Sequence, residues 1–196
     1  MKKIQRVGVD LDGTLVDYIH GIAPLLKEHY GLEPDFSKPV MRIEEVFGLT
    51  FETRPPGLRE HLYDELRAFR HLPPLEEDIN GLALGLFDLR QRTEIYIVTA
   101  RTPSREIVND TLEWLDEHGF IYTDVFFYED KSVLCETIGI NLMFEDEPQQ
   151  VKQLIARDIP VVMRNQPWNS SVEDHPLIRR ANDWREMLKA AKEFLE

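Results

Sequence analysis

Residues 5–15 read Gln-Arg-Val-Gly-Val-Asp-Leu-Asp-Gly-Thr-Leu (QRVGVDLDGTL). The short apolar run ending in acid predicts a buried strand over Gln5–Asp10 that carries Asp10 and Asp12 to its C-terminal end. Residues two apart in an extended segment point to the same side, so the two carboxylates project together. Gly13 lets the backbone turn away sharply. Asp-Gly is also an ordinary turn pair, so a strand ending in a plain turn is the alternative for these residues taken alone. Open parallel sheets bind ligands at this edge. Two neighbouring carboxylates repel, and hard oxygen ligands together with a phosphate suit Mg2+.

Outward from this stretch the pattern repeats. Glu94–Thr99 (EIYIVT) has the β-branched and aromatic content of a buried parallel strand. Shorter apolar runs follow at Asp124–Phe127, Asn141–Phe144 and Pro160–Met163. Between them, Ser104–His118 carries Ile107, Thr111, Leu112, Trp114 and Leu115 at helical spacing and is stopped by Gly119. Lys131–Ile138, Glu147–Ala156 and Trp184–Leu195 read the same way. Strands alternating with helices predict an α/β, Rossmann-like parallel sheet flanked by helices.

One gap breaks the rhythm. From Tyr18 to Pro74 there is no buried-strand pattern, only helical spacing at Ile22, Leu25, Leu26 and His29 and again at Leu58, Leu62, Leu66 and Phe69. Leu75–Arg92 is expected to return as one helix into the second strand. An insertion of roughly 55 residues is too long for a plain crossover. The expected organisation is therefore a core of residues 1–17 and 75–196 with a small helical cap, 18–74, inserted after strand one.

Composition narrows the function classes. The 196 residues are 42% hydrophobic and 30% charged, which suits one soluble domain with an insertion and is too apolar for general disorder. No charge-free stretch exceeds nine residues, so no membrane helix is expected. Arg6, Asp10 and Asp12 interrupt any signal-peptide core after Met1-Lys2-Lys3. A single cysteine, Cys135, excludes an internal disulfide and fits the cytoplasm; among apolar neighbours in a helix it reads as a small buried hydrophobe. With 23 basic against 36 acidic residues the net charge is −13, which repels nucleic acid polymers and anionic membranes. A small phosphorylated metabolite stays compatible, because a local site overrides the global field. The six histidines show no paired metal-ligand spacing, so zinc is not expected.

Further polar residues fall at the predicted strand ends. Thr99, Ala100 and Arg101 precede a helix start, where a hydroxyl and free amides form an anion site or simply a helix entry. Lys131 opens a helix, an unfavourable place for a cation against the helix dipole. Glu145 and Asp146 end another apolar run, where an N-terminal cap is the plain alternative. With no histidine or cysteine set available, Asp10, Asp12 and Asp146 are the expected metal group, with Glu145 as partner of Lys131. Tyr18 and Phe47 are the candidate pocket aromatics of the cap, most of whose seven aromatic residues should form its own core. Trp168 and Asn169, after Pro167, either line the site or make a structural turn.

The order Asp-x-Asp-Gly-Thr, then Thr99, then Lys131, then Glu145-Asp146 resembles the haloacid dehalogenase superfamily of phosphohydrolases. That resemblance implies Asp10 as nucleophile, Asp12 as general acid/base, Thr99 and Lys131 on the transferring phosphoryl, and the last acidic motif on Mg2+. An inserted helical cap in this position is also a feature of the superfamily. Ile97-Val98-Thr99-Ala100-Arg101, Phe144-Glu145-Asp146-Glu147-Pro148 and Asn165-Gln166-Pro167-Trp168-Asn169 look like the 5′(3′)-deoxyribonucleotidase family and its bacterial relatives, which implies a nucleoside monophosphate substrate. The family's last motif often has two aspartates, and Glu145 takes the first place here. A phosphatase of another small metabolite, such as a sugar phosphate, is the enzyme alternative. A phospho-accepting signalling domain places adjacent acids on strand one and lacks a large insertion, so the D-x-D box argues against it, and the full polar set argues against a silent binding module. A monomer or homodimer is expected.

Overall fold

The computed structural model describes residues 5–195. Six parallel strands form one sheet: β1 (Gln5–Val9), β2 (Thr93–Thr99), β3 (Asp124–Phe127), β4 (Leu142–Glu145), β5 (Val161–Arg164) and β6 (Ile178–Ala181), in the order β3-β2-β1-β4-β5-β6. Every residue of β4 and β5 is buried, which explains their unbroken apolar sequence. Strand order reverses at β1, which pairs Val7 with Ile95 of β2 on one side and Leu142 of β4 on the other. The crevice at that reversal lies beyond the carboxyl end of β1.

Helices α5 (Ile79–Arg90), α6 (Arg105–Glu117), α7 (Lys131–Ile138), α8 (Pro148–Ile155) and α9 (Trp184–Leu195) flank the sheet. Three of them start within a few residues of a strand end on side-chain caps. Ser104 Oγ accepts from the Ile107 amide at 3.1 Å, Asp130 from Val133 at 3.2 Å and Glu147 from Gln150 at 3.3 Å. These caps turn the N-termini of α6, α7 and α8 toward the same sheet edge. No helix among the described residues is long and apolar enough to cross a membrane.

Two core expectations need correction. Helix α5 begins at Ile79, capped by Asp78 through the Gly81 amide at 3.1 Å, rather than at Leu75. Leu75 instead donates to the Leu15 carbonyl at 2.8 Å, and Asp17 donates to the Pro73 carbonyl at 2.9 Å. The chain leaving β1 and the chain returning to α5 thus run bonded side by side. Strand β6 had no counterpart in the sequence reading, because Ile-Arg-Arg-Ala is short and its two arginines are half-buried at a sheet edge.

The segment between β1 and α5 holds α1 (Tyr18–Tyr30), α2 (Ile43–Val46), α3 (Leu58–Glu60), a π-helical turn at His61–Glu65 and α4 (Ala68–His71). The single helix expected through Leu58, Leu62, Leu66 and Phe69 is broken. Leu66 donates to the His61 carbonyl five residues back at 2.8 Å, and Arg67 takes φ +55°. Tertiary bonds to α6 account for the break. Arg67 forks Asp110 at 2.5 and 2.8 Å, Ser104 Oγ donates to Asp64 at 2.6 Å, and Trp114 Nε1 donates to the Leu72 carbonyl at 2.8 Å. Ile22, Leu26, Leu62 and Phe69 of this segment share one hydrophobic cluster with Val9, Leu15 and Trp114. Cys135 is buried in a second cluster with Val98, Met143 and Val161.

Candidate active site

Asp10 follows β1 directly, and its amide still donates to the Phe144 carbonyl of β4 at 3.0 Å. The chain then leaves the sheet. Leu15 and Val16 both donate to the Leu11 carbonyl at 2.8 Å, closing a tight turn around Gly13 at φ +89°. A Cβ at position 13 would collide with the Asp146 carboxylate, so glycine is needed both for the turn and for the close approach of that acid. Thr14 Oγ1 donates to Asp146 Oδ1 at 3.1 Å, and Trp168 Nε1 donates to Oδ2 at 2.9 Å. Gln166 Nε2 donates to the Gly13 carbonyl at 2.7 Å.

Lys131 opens α7 with its ammonium 2.6 Å from Asp10 Oδ1 and 2.8 Å from Glu145 Oε2. Glu145 Oε1 accepts from the Glu147 amide at 3.1 Å. Asp10, Glu145 and Asp146 are buried and each offers an oxygen within 4.8 Å of the others. Burial pushes Asp10 up to about 7, Glu145 adds to the rise and Lys131 opposes it. Burial, then Glu145 and Asp10, raise Asp146 well above the carboxylate range. Burial works against the charge on Lys131, but Asp10 and Glu145 outweigh it and raise its pKa above the ordinary lysine value. When ionised, three buried acids against one ammonium leave surplus negative charge, and every donor is a hard oxygen. The group fits a divalent cation of the magnesium type.

Asp12 is not part of that group. Asp12 lines the same cavity as Asp10, but its carboxylate is taken by Arg101. Arg101 donates to it from Nε at 2.8 Å and Nη2 at 2.6 Å, and from Nη1 to Thr111 Oγ1 at 2.9 Å. Its guanidinium lies 4.0 Å from the centre of the Phe69 ring. The side chain expected on a phosphate is therefore closed on Asp12. Thr99 Oγ1 accepts from the Arg101 amide at 3.3 Å, which leaves its hydroxyl hydrogen for another acceptor, and Ala100 is exposed beside it.

These groups meet in a cavity of about 870 Å3 between the sheet edge and the inserted helices. Of the cap aromatics, Tyr18, Phe36 and Phe69 line it. Phe47 does not: it is buried in the hydrophobic cluster, and its candidacy for the pocket is corrected accordingly. Tyr18 lines the cavity while its hydroxyl pairs with that of Tyr63, and burial raises its pKa well above 10.0, so it stays neutral. Trp168 lines the cavity, whereas Asn169 lies fully buried behind it, donating to the Asp146 and Arg164 carbonyls at 2.8 and 2.7 Å. The sequence reading missed Phe36, which stacks on His20 at 4.6 Å, and the cap cations Lys38, Arg42 and Arg59. It also missed Gln149 and Gln153 of α8, whose spacing of four places them on one helix face. The cap residues sit in loops or short turns and carry no periodic signal.

A parallel sheet in this order, with a helical insertion after β1 and an acid–lysine group at the strand ends, is the fold of the haloacid dehalogenase-like hydrolases. A solved hydrolase of that kind from Streptococcus pneumoniae superposes with a TM-score of 0.64 at 15% identity, covering 97% of this chain and 100% of the other. The family described as 5′ nucleotidase, deoxy (pyrimidine), cytosolic type C matches residues 2–194, and the chain belongs to that family. A "Putative nucleotidase" from Bacillus cereus is 30% identical over 193 residues, covering 93% of this chain and 95% of that protein. A "Putative 5′(3′)-deoxyribonucleotidase" from Chlorobaculum tepidum is 27% identical over 206 residues, covering 96% and 91%. The chain is a hydrolase of the nucleotidase type.

Proposed function

We propose that this protein is a Mg2+-dependent phosphomonoesterase that cleaves nucleoside monophosphates through an aspartyl phosphate formed on Asp10. The observation that carries the reading is Asp10 itself, a carboxylate 4% exposed, 2.6 Å from Lys131 and grouped with two further buried acids at a cavity wall. A carboxylate is a weak nucleophile, but it attacks phosphorus when the phosphate charge is neutralised. In this reading Lys131 and the Thr99 hydroxyl hold the equatorial oxygens, and the amides around Ala100 complete the cradle. Asp10, Glu145 and Asp146 would hold a divalent cation, which would supply Lewis acidity at the phosphoryl group and relieve the repulsion among the acids.

The chain's residues then balance the reaction. As the bond from Asp10 to phosphorus forms and the ester bond breaks, Asp12 gives its proton to the leaving alkoxide. In the second half, water attacks the aspartyl phosphate, Asp12 takes the proton back, and phosphate leaves with Asp10 restored. Arg101 occupies one lone pair on each Asp12 oxygen and leaves the others for proton transfer.

Phe36 supports the nucleotide reading. Its ring is half exposed, lines the cavity and is backed by His20, which makes a platform for a nucleobase. The test is a panel of phosphomonoesters with Mg2+. Nucleoside monophosphates should exceed sugar phosphates in kcat/KM by about tenfold or more, on the order of 1.4 kcal/mol. Sugar phosphates turned over equally well would keep the phosphatase and discard the nucleotidase. EDTA should silence the enzyme and Mg2+ restore it; full activity after exhaustive chelation would remove the metal from the mechanism.

A further inference from the structure

We infer that Arg101 and the cap residue Phe69 are positioning residues that set the geometry of proton transfer at Asp12. The inference rests on the reading of Asp12 as the general acid. Asp12 lies beyond the end of β1, bridged to Val16 through its backbone alone, and its side chain is 24% exposed, so burial does not fix the carboxylate. Two bonds from Arg101 do. That guanidinium is in turn held at its remaining nitrogen and on one face. Its Nη1 is bonded to Thr111, whose hydroxyl donates to the Ile107 carbonyl at 2.7 Å, and its face is covered by Phe69.

Phe69 cannot swing away. It is 4% exposed and stacked on Tyr63 with ring centres 4.4 Å apart. The element that carries it, α4, is pinned to α6 by Arg67 on Asp110 on one side and by Trp114 on the Leu72 carbonyl on the other. Orientation therefore passes from the inserted helices through Phe69 and Arg101 to Asp12. The planar fork of an arginine suits a carboxylate and a phosphate equally, and here it is already closed on the carboxylate. Arg101 acts on the proton donor and does not grip the substrate.

A leaving-group comparison tests this with a readout that general damage would not move. An alkoxide needs a proton as it departs, whereas 4-nitrophenolate does not, and kcat/KM reports the steps through formation of the aspartyl phosphate. Arg101→Lys, which keeps the charge but loses the fork, should lower kcat/KM for a nucleoside monophosphate on the order of 10^2-fold. Its kcat/KM for 4-nitrophenyl phosphate should fall less than about threefold, since only proton donation is impaired. Phe69→Leu should show the same selectivity at about fivefold, and Phe69→Tyr should restore it. Thermal melts identify any variant that fails to fold, and the two positions carry the test independently. Equal losses on both esters with a raised KM would make Arg101 a phosphate ligand and overturn the inference. Asp12→Asn is the reference: if it does not discriminate between the esters, the acid role of Asp12 and the inference fall together. If it does and the Arg101 and Phe69 variants do not, only the inference falls.

Discussion

At the scale of single residues, the site is governed by Asp10, where burial and charge pull in opposite directions. Burial favours the protonated acid and Lys131 favours the anion, with the balance at about 7. Asp10→Asn keeps the shape and removes the proposed nucleophile, so turnover should fall on the order of 10^3-fold or more. Kinetics, thermal melts and a mass measurement that excludes deamidation check it, and appreciable activity in a folded variant would sink the assignment. The same balance has a pH consequence. A carboxyl whose folded value lies above its unfolded one, near 3.8, binds more protons in the folded state, so it destabilises the metal-free protein as pH rises from about 4 to about 7. A cation binds the ionised form and reverses that loss. The rise in Tm caused by excess Mg2+ should therefore be larger at about pH 7.5 than at about pH 5.5. Equal rises at both would show that Asp10 is already ionised without metal. The location of these groups at strand ends was legible from local pattern; the partner each one takes was not.

At the scale of elements, two connections organise the site. The turn after β1 works only with glycine at position 13. Gly13→Ala meets a positive φ and the Asp146 carboxylate at once, and should lose about 1–3 kcal/mol of stability. Chemical denaturation reads that loss, and the same variant should lose most of its Mg2+-induced rise in Tm; an unchanged rise would separate the turn from the acidic group. The second connection is the strap from α4 to α6. Asp110 is fully buried and Arg67 one-third exposed, so in Asp110→Ala the guanidinium regains water and the loss should be about 1–3 kcal/mol. A neutral result in denaturation would show that the strap does not hold α4. Helix starts such as Ser104 and Asp130 were legible because a cap is a local bond. The π-helical turn and the left-handed Arg67 were not, because bonds to α6 more than thirty residues away impose them.

At the scale of the whole molecule, a chain of net charge −13 must still admit a phosphate anion. Lys38, Arg42 and Arg59 all line the cavity from the inserted segment, where they oppose the global field. Selectivity belongs to this scale because the cavity exists only between the inserted helices and the sheet edge. Phe36→Ala should erase about 1–3 kcal/mol of the preference for nucleoside over sugar phosphates. The ratio of kcat/KM values for the two classes measures it, and hydrolysis of 4-nitrophenyl phosphate serves as the control. An unchanged ratio would move base recognition to another wall of the cavity, such as the Gln149 and Gln153 face of α8.

The alternating architecture, the insertion after β1 and the set of acids, threonine and lysine at the strand ends were already legible along the chain. Those features follow from periodicity, caps and turn residues, which act over a few positions along the chain. Long-range packing was needed to bring Glu145 rather than Asp12 beside Asp10 and Asp146, and to set Asp12 against Arg101 from 89 positions away. Packing likewise turns Phe36 to the cavity and buries Phe47 in the main hydrophobic cluster. Each choice depends on which side chain fills the space beside it, and packing across distant segments has no signature in local spacing.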